Sequence, residues 1–412
     1  MQASPFRTLT VLALIGAAAC APVFPRPAPV EPVPPKPSAE AGPAPVKPVA
    51  RMVLNKTVFT ALPGWTVDDQ SAALPALLKS CTRLLPQPPT RPIGQGLTGI
   101  GGRIVDWKPI CAAAARLPKN DSVIARRFFE AWFRPFMATN NGRPEGLFTG
   151  YYEAQLRGSW KPGGRYTVPL YAKPHEMVTV NLGLFNSDLK GRSVVGRTEK
   201  GRLVPMQTRG EINGGALKGR GLELMWVDDP VEAFFLHVQG SGRVHMTDGS
   251  VVRLGFAAKN GHPYRSIGRV LIKRGVLTRH TASMASIRRW VKQNPRQGAL
   301  LLAENPSYVF FRILTGDGPI GSQGAPLTAG RSLAVDRRHV PLGLPVWLDT
   351  TDPLRPKRPL RRLLIAQDTG GAIKGPVRGD FFWGYGAEAE RNAGSMKQLG
   401  RYYLLLPKAA GS

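Results

Sequence analysis

The chain has 412 residues, 42% of them hydrophobic and 20% charged, a globular composition with enough apolar surface for a sizeable core and room for two to three domains. Its 46 Gly and 39 Pro favour short strands and turns over long helices. The formal net charge of +29 asks for an anionic setting, with nucleic acid the first candidate; Arg and Lys are spread along the chain without a stripe, so a solvated basic surface is the plainer account.

The first twenty residues read as a secretory leader. Arg7 supplies a positive start, and residues 9–19 form an apolar run too short for a membrane span. The run closes on Ala17, Ala18, Ala19 and Cys20, which resembles a bacterial lipoprotein cleavage site with Cys20 as the acylated residue; ordinary cleavage after Ala-x-Ala is the alternative. Ala21 is not aspartate, so nothing here resembles an inner-membrane retention signal, and the expected location is the periplasmic face of the outer membrane. Export argues against nucleic acid as the partner and for peptidoglycan, whose stem peptides and lactyl groups carry carboxylates. Residues 21–50 are a Pro-rich tether, extended at about 3.1 Å per residue and therefore up to about 90 Å long. Cys81 and Cys111 are the remaining cysteines; in an oxidising compartment they form either one disulfide or two buried thiols.

Folded sequence is expected from about Thr57. Apolar spacing predicts helices over 71–85 and 121–138, the second turning Phe128, Phe129, Trp132, Phe133 and Phe136 inward. Residues 147–257 read as short strands broken by Gly, Pro and Asp-Gly turns, including the run AFFLHVQGSGRVHM, and suggest a small barrel. Two amphipathic helices follow within 263–292. From Tyr308 onward the strand pattern resumes, in YVFFRIL, RSLAVD, PVWLDT, RRLLIAQD and RYYLLLPK.

Elimination narrows the chemistry. The six histidines form no H-x-x-x-H pair and have no Cys cluster beside them, so no metal site is expected. There is no G-x-S-x-G elbow, no P-loop and no cofactor fingerprint, and no cofactor is expected. What remains is a C-terminal block in which apolar strands end on aspartates beside Gly-rich turns: Asp336 after LAV, Asp368 after LLIAQ, and Asp380 before FFWG. Gly370 and Gly371 would let backbone approach a ligand. Phe381, Phe382, Trp383 and Tyr385 could stack on sugars and desolvate a carboxyl. An Asp before Thr-Gly-Gly is also an ordinary turn residue, and the residues alone do not choose among the three.

The block resembles the three-aspartate (3D) domain, and the wider chain is similar to the membrane-bound lytic murein transglycosylase A family. The resemblance rests on TGYYEA (149–154), HVQGSGRV (237–244), AAKNGHPYRSIGRVLIKRG (257–275), ENPSYVFFR (304–312) and GAEAERNAGSMKQLGRYYLL (386–405) together with QDTGGAIKG. It covers most of 145–406; residues 51–140 match loosely. It implies a mainly β fold with some helix: a double-psi β-barrel from 51–154 and 256–412, its 3D part about 320–406, with a smaller β-barrel of 155–255 inserted and a groove between them.

The same resemblance implies an exotransglycosylase that cleaves the MurNAc–β-1,4–GlcNAc bond and leaves a 1,6-anhydro end, with one Asp as acid and base. That acid corresponds to Asp380, with Asp368 its companion and Asp336 either a further companion or a turn residue. Tyr151, Tyr152, Gln239, Ser241, Lys259 and Asn260 fall in the other shared motifs and are candidate groove residues, with barrel packing as the alternative for Tyr152 and Gln239. Lys374 and Arg378 face either stem-peptide carboxylates or solvent. A water-using murein hydrolase and a non-catalytic peptidoglycan-binding lipoprotein are the competing readings.

Overall fold

The computed structural model describes residues 49–94, 99–316 and 318–408. The expected leader, Cys20 and the tether up to residue 48 lie outside the described residues. No helix among them is long and apolar enough to cross a membrane.

Strand β1 (Met52–Lys56) precedes helices α1 (Leu74–Leu84), α2 (Ile104–Ala115) and α3 (Ser122–Trp132). Helix α3 starts on Asp121, whose carboxylate accepts from the Ile124 amide. It stops at Trp132, short of the expected residue 138: Pro135 follows closely, and Phe133 to Phe136 belong instead to strand β2 (Phe133–Asn140). Cys81 of α1 and Cys111 of α2 form a disulfide, Cα–Cα 5.8 Å. The three helices pack their apolar faces, with Trp107, Phe129 and Trp65, onto Trp347, Leu363 and Ile365 of the sheet; full burial of each such side chain stabilises by about 1.5–3 kcal/mol.

Strand β3 (Gly146–Ser159) is 14 residues long, about 46 Å at the usual rise, and serves two barrels. The inserted region follows with β4 (Val168–Tyr171), a three-stranded ribbon β5 (Met177–Asn181), β6 (Ser193–Glu199) and β7 (Arg202–Pro205), then α4 (Arg209–Asn213), β8 (Glu223–Val227), α5 (Pro230–Gln239), β9 (Ser241–Met246) and β10 (Val251–Lys259). Next come α6 (Ile267–Lys273), α7 (Met284–Gln293), α8 (Pro295–Ala303) and β11 (Val309–Leu314). The chain ends with β12 (Ser332–Val335), β13 (Pro345–Thr351), β14 (Pro359–Asp368), β15 (Arg378–Tyr385), α9 (Ala387–Ser395) and β16 (Lys397–Pro407).

The pairings close a ring. β16 pairs β13, β13 pairs β14, β14 pairs β12, β12 pairs β15, β15 pairs β3, and β3 returns to β16. Two of the six contacts are parallel, β12–β14 and β15–β3. This is the expected double-psi barrel, filled by Phe148, Leu333, Val335, Leu364, Phe381 and Tyr402. The second half of β3 pairs β9 and β8, β9 pairs β10, β10 pairs β11, and β8 pairs β4. A bridge between Ala172 and Phe311 brings β4 to β11 and closes the second barrel.

Two expectations are corrected here. The return to the first barrel at residue 256 falls inside β10, and β11 still pairs with it, so the inserted barrel runs to Leu314. The apolar run after Pro230 is helix α5, not strand: Asp229 caps its first amides, Pro230 opens it, and Gly240 at φ +82° ends it.

Candidate active site

Asp368 ends β14 and Asp380 lies near the start of β15, and both pair in register with Ala334 of the strand between them. Side chains opposite one another in a ladder share a face, so the two carboxyls flank a single methyl group. Thr149 of β3 pairs with Asp380 on its other side. Strand β3 can run this close because Gly150 has no side chain: a Cβ there would meet the Trp383 indole nitrogen at 2.6 Å and the Ala393 Cα at 2.9 Å.

Each oxygen of the pair has a distinct setting. The Thr149 hydroxyl donates to Asp380 Oδ1 at 2.5 Å and accepts from Arg378 Nη2 at 2.8 Å. Arginine can only donate, so the hydroxyl proton is directed at Asp380, Oδ1 is an acceptor, and Oδ2 has no hydrogen-bond partner among the described residues. On Asp368, Oδ1 accepts from the Ser322 amide, the Ser322 hydroxyl and the Thr369 amide, each at 2.8 Å, and Oδ2 accepts from the Tyr151 hydroxyl at 3.1 Å. Burial pushes the Asp380 carboxyl up to about 6, against the Thr149 hydrogen bond and Arg378; the Asp368 charge adds to the rise. Burial raises Asp368 as well, opposed by its four donors, which favour the carboxylate. Burial, followed by the two carboxylates, lifts Tyr151 well above the usual phenol range, so it is a neutral donor. Its ring packs on Phe382 at 5.1 Å, shielding the site from one side.

The site stands where the barrels join. Just beyond Tyr151 on β3, Glu153 is buried and accepts from Arg243 of β9 at 2.6 Å. The Arg243 guanidinium lies 3.6 Å from the centroid of the exposed Tyr385 ring on β15. Gln239, at the end of α5, accepts from the Tyr152 amide at 3.3 Å, and Ser241 follows at the head of β9, half-buried. Half-buried Lys259, at the end of β10, is held below the usual lysine range by burial and then by the charge of Lys374; Gly370 and Gly371 lie in the loop after β14, Gly371 exposed.

Five expected site residues are placed elsewhere. The Asp336 carboxyl is engaged by Arg338 at 2.6 Å and by the Gly375 amide at 2.9 Å; these bonds hold it well below the usual range despite burial. It is therefore a charged turn residue with no proton to give, and the trio reduces to a pair. Tyr152 is 3% exposed, in the core of the inserted barrel, with its hydroxyl toward Glu390 and Arg288. Asn260 is 1% exposed, and its amide binds the Gln207, Pro306 and Tyr308 backbone. Arg378 turns back onto Thr149 and the Leu147 carbonyl and is not free for a stem peptide. Phe381 faces the barrel core, 1% exposed. Thr149 and Ser322 carry no sign of this role in the sequence; Thr149 opens the TGYYEA motif, but a lone threonine has no signature until its partner strand is known.

A closed barrel with a pair of half-buried carboxyls of raised pKa at its junction with a second barrel defines a two-barrel protein of the 3D-domain class. Residues 331–406 match the 3D domain and residues 147–312 the MltA specific insert domain. The membrane-bound lytic murein transglycosylase A of Vibrio cholerae is 34% identical over 265 residues, 63% of this chain and 65% of that protein; the chain thus spans about 65% of the length of the curated relatives it matches. The crystal structure of MltA from Neisseria gonorrhoeae superimposes with TM-score 0.74 and 38% identity, over 86% of this chain and 93% of that one. That of Escherichia coli MltA with bound chitohexaose does so with TM-score 0.62 and 26% identity, over 87% and 92%. The chain belongs to the MltA family.

Proposed function

We propose that this protein is a lytic transglycosylase that cuts the MurNAc–β-1,4–GlcNAc bond of peptidoglycan, with Asp380 as sole acid and base. The observation that carries the reading is the unequal pair: Asp380 has one oxygen free and a carboxyl raised to about 6, while Asp368 is saturated by four donors. Neutral Asp380 gives its Oδ2 proton to the glycosidic oxygen as the bond to C1 breaks. The carboxylate so formed then takes the proton of the C6 hydroxyl of the same MurNAc as that oxygen bonds to C1. The acid is regenerated, the ring closes as a 1,6-anhydro sugar, and no water is consumed.

A water-adding glycosidase of the usual kind needs a second carboxylate free to act. Asp368 is not free, which favours an internal nucleophile whose entropy of approach is already spent. The relatives named murein transglycosylases and the chitohexaose-bound neighbour support a glycan as occupant of the junction. Tyr151, Gln239, Ser241, Lys259 and the Gly370–Gly371 turn are the residues we place along it.

The test is mass analysis of muropeptides released from purified sacculi. The wild type yields anhydro ends, one water lighter than reducing ends, and Asp380→Asn yields neither. Reducing ends from the wild type would replace this reading with hydrolysis, and unchanged release by Asp380→Asn would remove Asp380 from the chemistry.

We further propose acylation at Cys20 and residence on the periplasmic face of the outer membrane, supported by the membrane-bound name of the relatives. Labelled palmitate entering the wild type and not Cys20→Ala, with the protein in the outer-membrane fraction, is the expected result.

A further inference from the structure

The inserted barrel carries a cavity of ≈ 1510 Å³ between β4, β8 and helices α4, α5 and α8. It is larger than most small-molecule sites, roughly 300–1,000 Å³. Neither Asp368, Asp380 nor Tyr151 lines it. Its walls are largely apolar, with Tyr166, Pro169, Ile212, Trp226, Phe234 and Leu300 among them.

Within this wall lies Arg209, 3% exposed. Its guanidinium stacks on Phe234 at 4.8 Å and Tyr308 at 5.1 Å. Nη2 donates to the Ser307 carbonyl at 2.7 Å, and the buried Nε has no acceptor. No carboxylate among the described residues comes within ion-pair distance of it. A buried charge without a counter-ion is costly, and burial lowers this arginine to about 10.

The acids that share the wall are already engaged. Asp228 pairs with Arg157 and Arg165, Asp229 with Lys292, and Glu223 accepts from the Gly219 amide. His237 is buried beside Tyr308 and held well below its usual range by burial and then by Arg209, so it is neutral. The cavity thus offers one buried, uncompensated cation at the end of an apolar space.

We propose that this cavity is a second ligand site, separate from the carboxyl pair, that takes a monocarboxylate with an apolar body, the carboxylate on Arg209 and the body along the aromatic wall. The arginine fork matches a carboxylate bidentately. Two sources share that chemistry, a fatty acid and a peptide ending in a small apolar residue, and the test separates them.

Isothermal titration of the full folded chain with decanoate, with N-acetyl-D-alanyl-D-alanine and with decanol is the experiment. One or both carboxylates bind and decanol binds at least roughly tenfold more weakly. Arg209→Met weakens the carboxylate by roughly tenfold and not decanol. Ala299→Trp, on the exposed face of α8 lining the cavity, blocks binding with Arg209 intact and serves if the arginine variant does not fold. Both variants keep wild-type glycan cleavage. No binding of either carboxylate to the wild type, equal binding of decanol, or full binding by both variants overturns the proposal.

Discussion

The Thr149 hydroxyl, accepting from Arg378, directs its only proton to Oδ1 of Asp380 at 2.5 Å. That bond leaves Oδ2 as the oxygen that carries the proton when Asp380 is neutral. It also favours the carboxylate, because a hydroxyl donor stabilises negative charge on its acceptor. Thr149→Val therefore raises the Asp380 pKa above about 6 and leaves its proton unaimed. In a pH–rate profile the alkaline limb of kcat/KM moves to higher pH, while the plateau falls by roughly tenfold. Thr149→Ser retains the donor and restores both. A plateau loss without a limb shift would assign Thr149 to packing alone.

Asp380 itself costs the fold stability. Its folded pKa of about 6 lies above that of a free aspartate, about 3.9. Between those values the folded chain holds a proton the unfolded chain has released, so stability falls as pH rises through this window. Above pH 6 the full penalty stands, up to about 3 kcal/mol. Asp380→Asn keeps an oxygen for Thr149 and removes the charge. Its melting temperature exceeds that of the wild type at pH 8, and the difference vanishes below pH 4. Activity falls by roughly 10³-fold.

The Cys81–Cys111 bridge staples α1 to α2 beneath the barrel. Its sequence separation of 30 gives a loop-closure contribution of about 3.5 kcal/mol by the chain-entropy relation. Urea denaturation of Cys81→Ser/Cys111→Ser shows a lowered midpoint, and dithiothreitol brings the wild type to the same curve. The carboxyl pair is carried by β14 and β15 and by neither helix, so cleavage below the transition is expected to be unchanged.

Much of this is legible in the sequence. The strands of the C-terminal block announce themselves by apolar runs ending on Asp or Gly, and β11 to β14 and β16 fall where the pattern puts them. Helix α5 reads as strand in the sequence because AFFLHV is apolar all round, and a short run of that kind carries no period. The deciding signals were Asp229, Pro230 and Gly240 at its ends. The boundary of the inserted barrel is hidden in the sequence because β10 finds its partner β11 only across three helices. Convergence at the site has the same cause. Thr149 and Asp380 are 231 residues apart, and only the parallel pairing of β3 with β15 makes them neighbours. Asn260 looked like a ligand-binding amide for the converse reason, since burial and backbone partners leave no mark in a sequence.

The two remaining aspartates separate by what their removal does to the third. Asp336 is bonded to Arg338 and the Gly375 amide, and its folded pKa is depressed below the unfolded value. Its contribution is thus present at neutral pH and lost as the pH falls through the acid range. Asp336→Asn loosens that turn by about 1–2 kcal/mol at pH 7, narrows the stability gap in acid, and leaves the alkaline limb of kcat/KM where it was. Asp368 acts on Asp380 through charge, raising its pKa. Asp368→Asn also opposes an amide to donors that need an acceptor, so it destabilises the loop at Ser322 and Thr369. Its distinguishing effect is on titration: the alkaline limb shifts to lower pH, because the neighbouring charge that kept Asp380 protonated is gone. At pH 7 less of the enzyme then holds the working proton, and kcat/KM drops further than at pH 5. Equal losses at the two pH values would mean that Asp368 only holds the loop and that the protonation of Asp380 is set by burial alone.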